Sequence, residues 1–368
     1  MSRIRVGILF GGRSAEHEVS ILSARNILAA LDRTRFDPVL VGIDKSGRWL
    51  LQAEAALLES ARDPRLVRVD THAAPVVMEP RPLQADGPRP EGSLKVDVVF
   101  PILHGPLGED GTVQGLLELA DLAYVGAGVL GSALGMDKHL MKRVLRDAGV
   151  PVTEFRAVTK SQFEKDPAAA CRLAAQVGFP LFTKPANLGS SVGIRRVADE
   201  SGLSAALAHA FEFDLKALAE VAVVGREIEC AVLGNEDPIA SVPGEIVVRH
   251  ADGFYSYEAK YVDDGAELRI PAPLTPAEVK LVQGSAIRAF QALDCAGMGR
   301  VDFFLRPDGQ LLVNEINTIP GFTRVSMYPK LWEASGIGQT ELVSRLIDLA
   351  IERHGRRRKL KSSYDFKR

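Results

Sequence analysis

The sequence is poor in cysteine, with three in 368 residues, and their positions argue against two common ways of stabilising a fold. Cys171, Cys230 and Cys295 lie far apart and show neither CxxC nor Cys/His spacing. Disulfide frameworks and structural zinc sites depend on paired or closely spaced cysteines. The sequence therefore indicates a fold without either, in a reducing compartment.

Long hydrophobic runs are also absent. No stretch reaches the ~18 consecutive apolar residues that a membrane-spanning helix needs. The segment 1–10 is short, runs directly into a glycine turn and has no signal-peptide cleavage pattern. We therefore expect a cytoplasmic protein with no membrane partner.

Neither sign of charge dominates. The net charge is −2, so no overall basic field indicates nucleic acid as a partner. Basic residues crowd together only at 353–368, a run typical of a solvated, frayed tail. A hydrophobic content of 46% is ordinary for globular proteins, and the length suits two or three subdomains.

The N-terminal third predicts an α/β domain. Residues 3–10, 36–43 and 96–102 have strand patterns, and a helical pattern follows Gly11-Gly12. Strands that alternate with helices form parallel sheets with right-handed crossovers. Because residues 71–93 hold five prolines, we expect a loop or peripheral insertion there.

From about residue 126 the pattern changes to mixed helices and strands. Helical patterns cover residues 136–148, 168–177, 276–293 and 340–353. Strand patterns cover residues 180–185, 218–224, 226–233, 239–248, 299–305 and 311–317. We find no internal repeat, and a long polar loop covers 250–272. The sequence thus predicts an N-terminal α/β domain followed by two α+β lobes.

The last two strands predict a hairpin whose polar side chains gather on one face. Asp308-Gly309 between them favours a two-residue turn, and paired residue numbers then add up to 617. Asp302 faces Glu315 and Arg300 faces Asn317, all on the same face because side chains alternate.

This face has a chemical use. The oxygens of Asp302, Glu315 and Asn317 suit Mg²⁺ that bridges nucleotide phosphates, and Arg300 can stabilise developing charge. The alternative is a solvated face with a cross-strand ion pair.

A second motif, at residues 182–193, is a strand followed by a loop rich in glycine and serine. Glycines let backbone N–H groups approach phosphate closely, the serine hydroxyls add donors and Lys184 adds positive charge. The loop does not match GxxxxGK[ST], which argues against a Walker-type NTPase. Alone it could be a simple turn; with the acidic hairpin it indicates a phosphate site.

Together these motifs resemble the D-alanine–D-alanine ligase family of the ATP-grasp superfamily. The resemblance runs in the family's order from about residue 4 to 350, and leaves only the proline-rich insertion and the tail unmatched. The matching stretches are residues 10–20, 104–111, 136–138, 184–193, 225–230, 257–261 and 300–321.

The resemblance implies an N-terminal α/β domain followed by a two-lobed ATP-grasp fold. It places an N-terminal α/β substrate domain at 1–125, a central ATP-grasp lobe at 126–222, and a C-terminal lobe with the metal and substrate sites at 223–352. The basic tail, 353–368, is expected to be disordered.

The resemblance also implies a role for each matching residue near the substrates. The expected catalytic residues are Glu16, Ser190, Tyr261, Arg300 and Gly321. The expected substrate-binding residues are Glu16, Val19, His104, Arg300, Gly321 and Ser326. Read from the residues alone, Glu16 could be a first-turn acid favoured by the helix dipole, and His104 an ordinary loop histidine.

For the nucleotide, the resemblance implies a larger set and a metal requirement. The expected ATP-binding residues are Lys138, Phe182, Lys184, Ser190, Ser191, Glu220, Val221, Val223, Glu227, Lys260, Phe304, Asn314 and Glu315. The metal ligands are Asp302, Glu315 and Asn317, for two Mg²⁺ ions that Mn²⁺ can replace. Val221 departs from the family pattern, where a basic residue often follows Glu220. The other implied partners are D-alanine and a second copy of the chain in a homodimer.

The polar loop 250–272 resembles the family's lid over the active site, with Lys260 and Tyr261 at its working end. A lid excludes water from a reactive intermediate. A tyrosine at 261 favours D-alanine over D-lactate as the second substrate.

The implied reaction is the ATP-dependent ligation of two D-alanines through a D-alanyl phosphate, for peptidoglycan precursors. Its nearest alternatives are a D-alanine–D-lactate or D-alanine–D-serine ligase and another ATP-grasp carboxylate–amine ligase. A nucleotide-binding regulator without activity would not need the intact hairpin set. A dehydrogenase is disfavoured because Gly11-Gly12 does not form GxGxxG.

Overall fold

A computed structural model describes residues 3–59, 68–76, 95–248 and 266–361. Lys260 and Tyr261 lie outside these residues, as do residues 362–368 of the basic tail and most of the proline-rich insertion. None of the helices in the described ranges combines the length and apolar character needed to cross a membrane. The described residues form three β-sheets.

The first sheet is largely parallel, as the alternation of strands and helices predicts. Its strands run in the order β3-β2-β1-β4-β5, and only β3 is antiparallel to its neighbour. The elements are β1 (Ile4–Gly11), α1 (His17–Ala30), β2 (Phe36–Ile43), β3 (Trp49–Gln52), α2 (Glu54–Glu59), β4 (Val98–Pro101), α3 (Thr112–Leu119) and β5 (Ala123–Tyr124). The strand β1 is buried from Val6 to Gly11 and so lies in the interior of this domain.

The second sheet is antiparallel, in the order β6-β9-β7-β8. Its elements and the two helices that precede it are α4 (Val129–Met136), α5 (Lys138–Asp147), β6 (Phe155–Thr159), α6 (Lys160–Lys165), α7 (Pro167–Ala175), β7 (Leu181–Pro185), β8 (Arg195–Val197), α8 (Leu203–Ala210) and β9 (Lys216–Val221). The helix predicted from residue 136 begins instead at Lys138, because Asp137 caps it by accepting the Leu140 N–H at 3.0 Å.

The third sheet is also antiparallel, in the order β13-β12-β10-β14-β15, with β11 added beside β10. Its elements are β10 (Arg226–Gly234), β11 (Ile239–Ala240), β12 (Gly244–Val248), β13 (Ala266–Arg269), α9 (Pro276–Ala292), β14 (Gly297–Leu305), β15 (Leu311–Asn317), α10 (Met327–Ala334) and α11 (Gln339–Arg357). The single strand predicted over 239–248 is two strands, β11 and β12, that both pair with β10.

Two hydrophobic cores connect the sheets. In the first, β1, β4 and α1 pack with α10 and α11, and Phe100 of β4 contacts Phe322, in the loop before α10, at 6.1 Å between ring centroids. The helix predicted to end near 353 continues to Arg357, and the Arg353 guanidinium donates to the Tyr124 carbonyl at 3.0 Å. In the second, α5 packs with α9 and β14. The loop after β7 contacts the loop after β1 through Ser190 and Glu16, and the loop after β15 contacts α1 through Phe322 and Asn26. The domain boundaries at 125, 222 and 352 stay a prediction.

Candidate active site

The hairpin β14–β15 has the residue pairing that the sequence predicts. Arg300 lies opposite Asn317 and Asp302 opposite Glu315. The prediction of a two-residue turn is wrong: Arg306 pairs with Gln310, and the three residues between them form the loop. Three-residue hairpin loops place one residue in the left-handed region, here Gly309 with φ of 82°.

A β-bulge restores the expected pairing. For the pairs from Leu305 to Phe303, the sum of the two residue numbers is one lower than expected. The register shifts between Asp302 and Phe303, where Asn314 is the additional residue of β15. Two deviations from the expected geometry, a longer loop and a bulge, therefore cancel at the functional end of the hairpin.

Arg300 is the electrostatic centre of the hairpin face. Its guanidinium forms two bonds to the Asp302 carboxylate, both 2.7 Å, and lies 2.9 Å from Glu229. Burial disfavours the charged guanidinium, but Asp302 and Glu229 outweigh this and raise the pKa of Arg300 well above its usual value. Asn317 donates to Asp302 at 3.0 Å. Arg300, Asp302 and Asn317 are therefore preorganised as one connected group.

Two of the predicted phosphate-binding lysines approach this hairpin from different elements. The Lys138 ammonium, at the start of α5, lies 3.2 Å from Glu315 and donates to the Leu188 carbonyl at 2.8 Å. Lys184, near the end of β7, lies 2.7 Å from Glu220 and 3.3 Å from the Asn314 side-chain oxygen. The two lysines therefore lie beside predicted metal and nucleotide residues.

The remaining predicted nucleotide residues lie on the strands around these lysines. Phe182 pairs with Glu220 between β7 and β9, and Glu227 pairs with Phe304 between β10 and β14. Val221 ends β9, and both it and Val223 are partly exposed. The second sheet and the third sheet thus each contribute part of the predicted ATP site.

A hydrogen bond joins the glycine-serine loop to the residue that precedes the first helix. Ser190 donates to the Glu16 carboxylate, although 174 positions separate the two residues in the sequence. Space around this carboxylate is tight: a Cβ added at Gly105 or Gly189 would lie 3.2 or 3.1 Å from the Glu16 Oε2 atom. Glycine at these two positions lets the backbone approach the carboxylate.

The serines of this loop have unusual backbone conformations. Ser190 and Ser191 both have positive φ, 51° and 60°. Each such residue costs on the order of 1 kcal/mol or more, and strain of this kind gathers at ligand clamps and active sites. The geometry supports a functional interpretation of the loop over that of a simple turn.

On the opposite side, His104 contacts α1 and the loop after β15. Its Nε2 atom lies 3.3 Å from the Ser23 hydroxyl, which accepts the Phe322 N–H at 3.2 Å. Burial lowers the pKa of His104. The Glu16 carboxylate and a backbone hydrogen bond to Ile319 oppose this shift only in part. Burial thus favours the neutral form of the His104 ring.

The loop from Gly321 to Ser326 is closely packed. Thr323 donates its N–H to the Ser326 hydroxyl at 3.0 Å, and a Cβ added at Gly321 would lie 2.9 Å from that hydroxyl. Val19, on α1, is buried at 6% exposure. Of the predicted substrate residues, the structure thus groups Glu16, His104 and the loop that carries Gly321 around one cleft.

Sequence reasoning missed two charged residues of this region. Glu109 accepts the Gly105 N–H at 2.7 Å, and loss of solvation and the nearby Glu16 charge raise its pKa to about 8. Lys142, on α5, is fully buried. It lies four residues after Lys138, on the buried face of α5 that also holds Met141. Its position in the apolar pattern of the helix was the feature of the sequence that could have indicated its burial.

Comparisons with known proteins identify the family of this chain. Family models described as D-ala D-ala ligase N-terminus and C-terminus match residues 5–127 and 144–348. The D-alanine–D-alanine ligase A of Chromobacterium violaceum is 50% identical over 360 residues, which cover 96% of each chain. That of Escherichia coli K12 is 47% identical over 367 residues, which cover 99% of this chain and 100% of that protein. This chain belongs to the D-alanine–D-alanine ligase family.

Solved structures of the family share the whole fold. The D-alanine–D-alanine ligase of Coxiella burnetii matches with a TM-score of 0.84 and 40% identity, covering 98% of this chain and 97% of that one. The VanG D-Ala:D-Ser ligase of Enterococcus faecalis matches with a TM-score of 0.81 and 34% identity, covering 95% and 100%. The predicted fold, an α/β domain followed by a two-lobed ATP-grasp unit, is confirmed.

Proposed function

We propose that this chain joins two D-alanines into D-alanyl-D-alanine in the cleft between β1, β7 and β15, with the residue roles given below. As a member of its family it is an ATP-dependent ligase, and the dipeptide is a building block of the bacterial peptidoglycan precursor. The observation that supports the residue roles most strongly is the register of the hairpin, which places Arg300, Asp302, Glu315 and Asn317 in two facing pairs.

The oxygen donors of the hairpin fit a divalent cation. Asp302 and Glu315 offer carboxylates and Asn317 an amide oxygen, the hard ligands that Mg²⁺ prefers. Among the described residues no place gathers three His, Cys, Asp or Glu side chains for a metal, so the Asn317 amide is needed as the third ligand. When held by Asp302, Glu315 and Asn317, Mg²⁺ would offset the negative charge of the ATP phosphates. We infer two such ions, with Mn²⁺ able to replace them.

In the first step, the cleft brings one D-alanine carboxylate to the γ-phosphorus of ATP. Glu16, held by Ser190, would bind the ammonium group of this D-alanine, with Val19 and His104 beside it. Lys138 and Lys184 would contact the phosphates. The carboxylate oxygen bonds to the γ-phosphorus, the bond to the bridging oxygen breaks, and ADP leaves.

In the second step, the uncharged amine of a second D-alanine attacks the acyl carbonyl, the bond from that carbon to the phosphate oxygen breaks, and the departing phosphate takes the proton that the amine loses. Ser326 and the Gly321 N–H would hold the carboxylate of this second substrate. Arg300, fixed by Asp302 and Glu229, would stabilise the oxyanion together with Gly321. Because most of these groups are held before substrates arrive, positioning supplies much of the catalysis.

For the nucleotide, Phe182, Ser191, Glu220, Val221, Val223, Glu227, Phe304, Asn314 and Glu315 complete the site. Lys260 and Tyr261 would close it from the lid. The domains, 1–125, 126–222 and 223–352, would supply the substrate, nucleotide and metal sides. We also infer a homodimer and a cytoplasmic location.

The experiment that tests the function offers D-alanine, L-alanine, D-serine and D-lactate separately and measures ADP release with Mg²⁺ present or chelated. We expect release only with D-alanine and Mg²⁺, and dipeptide as the product. A second series with D-alanine plus D-lactate or D-serine at several pH values measures mixed products. Preferential formation of a mixed product would contradict the substrate assignment while leaving the ATP site intact.

A further inference from the structure

The lysine buried on α5 has contacts that link three separate parts of the cleft. The Lys142 ammonium donates to the Thr153 hydroxyl at 2.8 Å and to the Asn314 carbonyl at 2.9 Å. It also lies 3.5 Å from the Glu220 carboxylate. Its side chain is 0% exposed, so nothing from solvent replaces these partners.

A lysine at such a position destabilises the fold unless its neighbours compensate for the buried charge. A buried charge costs several kcal/mol, and removal of one partner leaves the other uncompensated. Burial lowers the pKa of Lys142 to about 8, with Glu220 opposing this and the neighbouring Lys184 adding to it. A leucine or methionine would fill the same space in the α5 core without this cost.

The contact with Glu220 explains one benefit of the charge. The Glu220 carboxylate is 3% exposed and faces Lys142, Lys184 and the Thr153 hydroxyl, which donates to it at 3.0 Å. Burial alone would neutralise this carboxyl, but the two lysines outweigh burial and lower its pKa. Glu220 therefore has two cationic partners, Lys142 and Lys184. Without Lys142, Lys184 would be the sole cationic partner of Glu220 among these groups.

The contact with the Asn314 carbonyl explains a second benefit. Asn314 is the additional residue of the β15 bulge, and the bulge is what places Asp302 opposite Glu315. Bulged residues leave the strand ladder incomplete. Lys142 binds the carbonyl at this point, while the neighbouring Val313 N–H donates to the Pro151 carbonyl at 2.9 Å.

We infer that Lys142 is a positioning residue of the nucleotide and metal site, acting through Glu220, Thr153 and the β15 bulge without touching a substrate itself. This inference rests on the proposed ATP site. Its consequence is selective: loss of Lys142 weakens the binding of ATP and Mg²⁺, whereas the D-alanine side of the cleft, built from α1 and the loop after β15, is spared.

The test compares Lys142→Met with Arg143→Met, since Arg143 is an exposed neighbour on the same helix. The dissociation constant of ATP is measured by titration calorimetry with Mg²⁺ and without D-alanine, and steady-state kinetics give KM for ATP and D-alanine. Hydrogen bonds to charged groups contribute about 1.5–3 kcal/mol. We therefore expect ATP binding roughly 10- to 100-fold weaker in Lys142→Met, a higher Mg²⁺ requirement, and a D-alanine KM within about threefold of wild type. Arg143→Met should match wild type.

A second pair of variants decides the question if Lys142→Met does not fold. Thr153→Val removes the hydroxyl between Lys142 and Glu220 with little change in volume, and Thr153→Ser keeps it. We expect Thr153→Val to weaken ATP binding by about 3- to 10-fold and Thr153→Ser to restore it. ATP binding within twofold of wild type in every variant that folds would overturn the inference, whatever its melting temperature. Wild-type protein that binds ATP but releases no ADP with D-alanine would instead contradict the ligase proposal.

Discussion

Replacement of Glu109 by glutamine should change how the stability of this ligase depends on pH. The carboxyl accepts the Gly105 N–H and lies near Glu16, and loss of solvation with that like charge raises its pKa from 4.5 to about 8. A carboxyl whose pKa is higher in the folded state binds its proton more tightly there. Its contribution to stability is therefore complete below pH 4.5 and is lost as the pH rises towards 8.

The size of the effect follows from the proton affinity. A tenfold difference in proton affinity corresponds to about 1.4 kcal/mol, so the full span from pH 5.5 to 8 is worth at most roughly 3 kcal/mol. Because Glu109 retains partial contact with solvent, we expect about 2 kcal/mol. The wild-type free energy of unfolding should fall by this amount relative to Glu109→Gln between the two pH values.

Urea unfolding at pH 5.5, 6.5, 7.2 and 8 measures this difference directly. All other titrating groups are common to the two proteins, so the contributions of groups that do not interact with Glu109 cancel in the comparison. Glu333→Gln, at an exposed carboxyl of α10, controls for the loss of one charge. Parallel pH profiles for wild type and Glu109→Gln would refute the assignment of a protonated Glu109, and a wild-type free energy of unfolding that rises relative to that of Glu109→Gln from pH 5.5 to 8 would show the opposite sign.

Three further substitutions test other parts of the cleft. Gly189→Ala would place a methyl group 3.1 Å from the Glu16 carboxylate. We expect steady-state kinetics to give a KM for the first D-alanine that is raised about tenfold. An unchanged KM would show that the carboxylate can move freely. A lysine in Arg300→Lys cannot form the two bonds to Asp302, so we expect kcat to fall about 10²- to 10³-fold. The affinity for ATP, measured by calorimetry, should stay within about threefold of wild type. A normal kcat would contradict the assignment of Arg300 to the oxyanion site. Glu220→Gln leaves two buried lysines without the carboxylate that they share. Urea unfolding should show a free energy of unfolding lower by about 3 kcal/mol. A loss below about 0.5 kcal/mol would show that the lysines find other partners.

The hairpin shows how a sequence can predict a site correctly from an incorrect turn. The Asp308-Gly309 pair located the reversal, and alternation of side chains placed Arg300 and Asp302 on one face. The turn itself has three residues, and the bulge at Asn314 compensates for it. Nothing local in the sequence marks that bulge, because its carbonyl is satisfied by Lys142, which lies 172 positions away.

The other contacts of the cleft were predictable only through resemblance to the family. No spacing rule brings Ser190 to Glu16 or Lys138 to Glu315, since three sheets must first be assembled. Glu109 escaped prediction for a related reason. A glutamate in the sequence carries no sign of the burial and neighbouring charge that raise its pKa, and both arise only when the loop after β4 packs against α1 and β15.

The charges of the cleft also explain how it can hold several cations together before any nucleotide binds. Among the described residues, Lys138 contacts Glu315, Lys184 contacts Glu220, and Arg300 contacts Asp302 and Glu229. Unpaired cations at this density would repel one another and destabilise the fold. On our assignment, two of these carboxylates are also metal ligands. Lys138 can therefore turn from Glu315 to phosphate oxygens where Mg²⁺ takes its place on that carboxylate, which makes binding of the metal and of the phosphates interdependent.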